Sequence, residues 1–301
     1  MSNIIGSEMS TEVRIQHYVP RLYLRSFCAH DKKREYLYCL DKASLKRFKT
    51  SIASVGVERD FFAARDDFTK SLEARFGRLE SVFGNCYRRL IKTRTLGCLS
   101  SDDKMIISYY VAAQELRTKE FRQMLGDMVR QLREHLSKEK MSEELERQLN
   151  KAMSNESIEG LHTSMLGDIP QFAETYGTMK WVLFKSRTSM SYWTSDHPVV
   201  RYNPVDLRPY GNMGLMNRGI QIYFPLTTRL ILSFCDPELY AQIPSENNVT
   251  DPENVVFQNW LQVACSTRHV FSRDGDFSLA ERIIRENPSL GSIDRQRVSV
   301  D

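Results

Sequence analysis

Six apolar residues, Leu72, Phe76, Leu79, Phe83, Cys86 and Leu90, step alternately by four and three along the chain. That spacing returns to one side of an α-helix every two turns, and it predicts a long helix with a narrow buried stripe. A second stripe follows, with Ile106, Tyr109, Ala113 and Leu116, then Phe121, Met124, Met128, Leu132 and Leu136. Ser100, with Asp103 three residues on, reads as the capping box that starts it. About ten residues join the two, so the helices should pack antiparallel. A third helix is expected over 157–176. The charge-dense residues 137–153 read as a solvated helical excursion.

On either side of the helices the pattern turns to strands. Pro20 suits the first position of a short helix that carries Leu24 and Phe27 inward. Residues 35–40 and 45–48 read as a hairpin, with a further short element over 51–57. Strands are expected at 179–185, 191–194, 199–202, 220–224, 230–235 and 269–271. A helix over 252–267 would be capped by Asp251, with Val256, Trp260 and Val263 as its apolar face. The loop 203–219 is long enough to be functional or mobile. Helices and strands are segregated, which predicts an α+β fold: a long antiparallel helix pair plus a mostly antiparallel sheet closed by a C-terminal helix. The expected single domain spans 13–281, with a helical part at 64–177 and a β-rich part at 178–271. It is flanked by a flexible N-terminus, 1–12, and a flexible polar tail, 282–301.

The balance of 42 basic against 38 acidic residues permits contact with nucleic acid or a nucleotide without arguing for it, because the informative signal is a clustered basic face. Two short basic runs exist. Asp31-Lys32-Lys33-Arg34 reads as a turn, and Arg88, Arg89, Lys92 and Arg94 as a favourable helix C-terminus. The six cysteines form no Cys-x-x-Cys pair and suit a reducing, cytoplasmic setting. Residues 1–10 lack the pattern of a signal peptide. No apolar run approaches the roughly 18 residues that cross a bilayer, so no membrane partner is expected. Rossmann, P-loop, zincin, nucleophile-elbow and zinc-finger signatures are absent from the sequence.

What remains is polar residues set among apolar ones. His17 titrates near neutrality and suits proton transfer or metal ligation; otherwise it is a helix-entry histidine bonded to backbone. Glu73 and Glu80, two turns apart, lie on one side of the striped helix. Glu80 can face an interior site as a base or metal ligand, or pair with an arginine at the surface. Gln114 and Arg117 at helical spacing can grip a phosphate or carboxylate, or pair with Glu73 or Glu80 across the helix pair. In Thr194-Ser195-Asp196-His197-Pro198, Asp196 is a candidate metal ligand or base, or an Asx-turn residue bonded to its own backbone. His197 should point away from it. Asn259 is a further candidate buried amide.

The string His17-Tyr18-Val19-Pro20-x-x-Tyr23-Leu24-x-x-Phe27 resembles the opening motif of the domain-of-unknown-function 4238 family. The resemblance continues through Gln114-x-x-Arg117-Thr118, Met179-x-Trp181, Thr194-Ser195-Asp196-x-Pro198-Val199 and Phe224-Pro225-Leu226, in order over roughly 13–271. His197 stands where the family pattern would have Asn, so no role is carried over to that position. The resemblance implies a bacterial protein with a tie to phage defence or mobile elements, and hence a nuclease- or toxin-like role. On this basis the leading expectation is a hydrolase acting on phosphodiesters. His17, Glu80 and Asp196 would serve as acid, base or ligands to a divalent metal, and Gln114 and Arg117 would bind substrate. The alternative is a non-enzymatic ligand- or partner-binding module, in which the same residues form a buried network and the 203–219 loop makes the contacts. The oligomeric state is not readable from the sequence.

Overall fold

A computed structural model describes residues 15–31, 34–59, 61, 67–136, 142–207 and 211–297. The expected flexible segment 1–12 and the middle of the basic run 31–34 lie outside the described residues. The chain runs β1 (Ile15–His17), α1 (Arg21–Leu24), β2 (Ala29–Asp31), β3 (Arg34–Asp41), β4 (Lys46–Ser51) and β5 (Val57–Arg59). The helical part is α2 (Asp67–Thr93), α3 (Ser101–Leu116), α4 (Lys119–Leu136), α5 (Glu143–Ala152), α6 (Asn155–Met165) and α7 (Ile169–Thr178). Then come β6 (Lys180–Ser186), β7 (Thr194–Ser195), β8 (Val200–Tyr202), β9 (Gln221–Thr227), β10 (Leu230–Cys235) and β11 (Glu246–Val249). The described chain closes with α8 (Pro252–Cys265), β12 (His269–Ser272) and α9 (Ser278–Glu286). The class is α+β.

One sheet has the order β11-β6-β10-β9-β8, antiparallel except where β11 runs parallel to β6. A second has the order β2-β3-β12-β7, with β4 also on β3, and so joins the first hairpin to the last strand. A third pairs β1 with β5 and sets His17 opposite Val57. Helix α2 packs on α3 through its stripe, with Leu72, Phe76, Phe83, Cys86 and Leu90 all buried. Each buried Phe or Leu there contributes about 2 kcal/mol from area removed from water. The capping box at Ser100 and Asp103 is formed in both directions.

Four expectations change. The second long helix is two helices, broken at Arg117 and Thr118. Thr118 Oγ1 donates to the Glu115 carbonyl at 3.0 Å and accepts from Phe121 N at 3.3 Å, so it ends one helix and caps the next. Of the expected apolar face of α8, Val263 is buried, but Val256 is only half-buried and Trp260 is turned outward; Val255, Asn259, Leu261 and Gln262 are buried instead. Buried amides that bond the β7 region outweigh the indole's apolar area there. The tail expected to fray from 282 instead continues α9, whose Ala280, Ile283 and Ile284 pack with Phe277, Leu40, Trp193 and Val270. The expected helix over 157–176 is likewise divided, into α6 and α7, with Pro170 at the start of the second.

The segments that carry the resemblance meet inside the protein. Tyr23 stacks on Phe224 with ring centroids 5.0 Å apart, and its hydroxyl lies 2.7 Å from Thr194 Oγ1. Gln114 Nε2 donates to the Tyr18 carbonyl at 2.9 Å. They are spacers of the core as much as candidates for chemistry.

Candidate functional site

The break between α3 and α4 gathers a run of buried polar side chains, Gln114, Glu115, Arg117, Thr118 and Glu120. Arg117 projects back along α3 with its stem among apolar neighbours and its guanidinium 5.2 Å from the Phe76 ring centre and 5.8 Å from that of Tyr110. Nη1 donates to Glu80 Oε1 at 2.8 Å; Nη2 and Nε donate to Gln114 Oε1 at 2.7 and 3.2 Å. Gln114 in turn spends its amide hydrogen on Tyr18. The expected pairing of Arg117 with a glutamate across the helix pair is therefore present, and Glu80 is the partner. Glu73, two turns earlier on α2, accepts from Gln16 Nε2 on β1.

His17 follows Gln16 at the end of β1. Its ring is bonded to the backbone of Ala53, and Nε2 is buried without a hydrogen-bond partner. Burial, and then the Arg21 charge, lower its pKa, so the ring stays neutral at pH 7. Glu80 and Arg117 are within electrostatic reach. The structure thus places His17, Glu80, Gln114 and Arg117 around one corner.

Asp196 belongs to a different set of bonds. Its carboxylate accepts from the backbone N–H groups of Thr267, Arg268 and His269 at 2.9, 2.8 and 2.8 Å, and the residue is 2% exposed. It fastens the turn between α8 and β12 rather than forming an Asx turn on its own backbone. His197 points the other way, as alternation in an extended segment requires. Its Nδ1 lies 2.7 Å from Thr118 Oγ1, which ties this turn to the α3–α4 corner. Ser195 Oγ donates to Gln262 Oε1 at 2.8 Å, and Asn259 bonds Trp193 N and the Ser191 carbonyl. Asn259 is thus a buried amide, bonded through both its oxygen and its nitrogen.

Several charged residues that the sequence reading did not single out are central. Glu115 accepts from Arg201 Nε at 2.5 Å and from Tyr176 Oη at 2.6 Å. Glu120 accepts from Thr267 Oγ1 at 2.8 Å and pairs with Arg295 and, at 3.1 Å, with Arg297 Nε. Lys42, buried, donates to the Val263 and Ser266 carbonyls at 2.6 Å each and caps the end of α8; burial pulls its pKa down to about 8. The available signal was charge on the apolar side of a helix: Glu115 sits beside Leu116, and Glu120 beside Phe121.

Beyond the corner, a cleft of about 340 Å³ opens between α4, the start of α6 and the C-terminal segment. Lys119, Arg122, Arg130 and Arg297 line it, with Asp127 and Asn155. Lys119 and Arg122 pair with Glu58 at 3.2 Å each, and Arg130 with Asp127 at 2.7 Å. The loop 203–219 is braced in its described part by Asn203, which bonds the Asn212 and Arg218 carbonyls at 2.9 and 3.0 Å. Among the described residues, no three or more His, Cys, Asp or Glu side chains are grouped to hold a metal ion, and no helix is long and apolar enough to cross a membrane.

A family model described as a protein of unknown function, DUF4238, matches residues 15–276. No curated protein and no solved structure matches the chain.

Proposed function

Because the chain belongs to the DUF4238 family of proteins of unknown function, we propose from its geometry that it is a non-enzymatic binding module whose cleft between α4, α6 and the C-terminal segment takes an anionic small ligand such as a nucleotide. The observation that carries this reading is where the hydrogen-bonding capacity goes. Arg117, Gln114 and Asp196 spend theirs on Glu80, Tyr18 and the backbone at 267–269. Lys119, Arg122 and Arg130 instead line a cavity of ligand size. Lys119 and Arg122 pair with Glu58, whose side chain is about one-third exposed, and such pairs contribute only about 0–1 kcal/mol each; Arg130 is itself half-exposed, and its partner Asp127 is buried. A phosphate gains charge-assisted, two-point bonds from arginine and displaces the Glu58 pairs at little cost.

Calorimetric titration with nucleoside triphosphates and with inorganic phosphate tests it. Saturable heat that vanishes in Lys119→Ala/Arg122→Ala is the expected result. Absence of binding, or binding indifferent to those substitutions, removes the cleft from consideration.

One observation favours a second reading, a hydrolase acting on phosphodiesters in bacterial defence. His17 Nε2 is a buried, neutral proton acceptor without a partner, near Glu80 and Arg117. In that reading His17 takes a proton from water, and Glu80 and Arg117 set the field around it. Cleavage of DNA, RNA or nucleotides with Mg²⁺ or Mn²⁺ that is lost in His17→Ala would replace the binding reading with this one.

A further inference from the structure

We infer that the outer edge of β4 is a docking surface for an extended, acidic segment of a partner protein, added to the sheet as a further strand. Among the described residues, β4 pairs with β3 on one side and with no strand on the other. All of its residues but Thr50 are exposed, and Phe48 is 40% exposed. Lys42 N donates to the Arg268 carbonyl, so the even-numbered residues of β3 turn their backbone groups towards β12. Leu37, Cys39 and Asp41 turn theirs towards β4, where Thr50, Phe48 and Lys46 face them. The backbone N–H and carbonyl groups of Arg47 and Lys49 therefore point out of the sheet. The edge that they form has no proline and no bulge to blunt it.

The charges along the strand identify what covers it. Lys46, Arg47 and Lys49 are its ionic residues, all cations. Arg47 is answered by Glu281 at 2.6 Å, and Lys49 lies over the Tyr36 ring. Among the described residues, neither lysine pairs with a carboxylate. Lysines on an edge repel a like-charged strand, and the β4 of a second copy is such a strand. An acidic strand meets the opposite condition, because opposite charges facing each other across a strand pair attract. Alternation orders the match: Lys46 and Phe48 lie on one face of β4, Arg47 and Lys49 on the other. Opposite positions 46 to 49 the partner therefore carries an acidic residue, any residue, an apolar residue and an acidic residue in turn. A nucleic acid would also suit the lysines, but its phosphates only accept and leave the Arg47 and Lys49 carbonyls unmet. A peptide strand meets donors and acceptors alike. This inference does not depend on what the cleft binds.

Fluorescence anisotropy tests it, with the full chain titrated into a labelled synthetic peptide, Thr-Glu-Thr-Val-Glu-Thr, and into its reverse, for a parallel or an antiparallel strand. Saturable binding of one of them is expected, and none of the same peptides with Lys in place of Glu. Lys46→Glu/Lys49→Glu should weaken binding at least about tenfold, with an unchanged far-UV spectrum. Should that variant not fold, Lys46→Gln/Lys49→Gln should weaken binding in the same direction. Lys49→Pro removes an outward N–H as well as a charge, so it should bind several-fold more weakly than Lys49→Gln, which removes the charge alone. Equal binding by those two variants overturns the added strand. Absence of binding, or binding that the lysine substitutions leave unchanged, overturns the inference, and so does a single-stranded oligonucleotide that binds where the acidic peptides do not.

Discussion

Thr118 Oγ1 and His197 Nδ1 stand 2.7 Å apart, and this contact joins the α3–α4 break to the turn after β7. The proton count fixes its direction. The single hydroxyl hydrogen goes to the Glu115 carbonyl, so Oγ1 accepts from Phe121 N–H and from the ring. His197 is therefore the Nδ1–H tautomer, and burial lowers its pKa and keeps it neutral.

Thr118→Val removes that acceptor while keeping the shape. It should cost about 1–2 kcal/mol in urea denaturation. Combined with His197→Phe, the loss should fall short of the sum by about 1 kcal/mol, because both substitutions delete the same contact. Strict additivity would mean that the two residues do not bond in solution.

Asp196 clamps the β7 turn to the α8–β12 junction. Three backbone N–H groups converge on its two oxygens. Asp196→Asn swaps an acceptor oxygen for a donor aimed at those amides. A loss of about 2–4 kcal/mol is expected, together with faster hydrogen exchange at 267–269. A variant as stable as the parent would show that the clamp is dispensable.

Much of this was legible in advance, and the reasons are local. The α2 stripe and the Ser100 capping box depend on neighbours a few residues away, and both stand as read. The pairing of Arg117 across the helix pair was visible because arginine and glutamate lay on facing sides of helices already located. The break at Thr118 was not, since a threonine amid good helix formers shows its capping role only when its partners at 115 and 121 are placed. The inward face of α8 was misjudged because Asn259 and Gln262 are polar by type, and only the β7 backbone and Ser195 make their burial favourable. Nothing near position 295 shows that its arginine answers Glu120 175 residues earlier, so the tail looked loose.

That long-range pairing gives a third prediction. Glu120 is 7% exposed and is met by Arg295 and Arg297 from the C-terminal segment. Removing one side of a buried ion pair leaves the other charge uncompensated, at a cost of about 3–5 kcal/mol. Deleting residues 292–301 should therefore lower the melting temperature sharply. Deletion combined with Glu120→Gln should recover part of the loss. A truncated chain as stable as the full one would mean that the segment merely rests on the surface.

The fourth prediction concerns pH. His162 Nε2 donates to the Leu116 carbonyl at 2.7 Å, at the C-terminal end of α3, where helix carbonyls need outside donors. The rings of Phe61 and Phe121 flank the imidazole, and burial pulls its pKa down to about 4. In the unfolded chain the ring titrates near 6.5. Between these values the unfolded chain takes up a proton that the folded one refuses, so stability is full above about pH 6.5 and falls as pH drops towards 4. The whole effect is on the order of 3 kcal/mol. His162→Gln keeps a donor and cannot titrate. Its denaturation midpoint should lie slightly below that of the parent at pH 7.5, and it should decline less than the parent between pH 6.5 and 4.5. His17, His197 and His269 have pKa values lowered in the same direction, so the difference between variant and parent is the informative quantity. Parallel curves for the two proteins would place the acid sensitivity in those other rings and leave His162 with a capping role only.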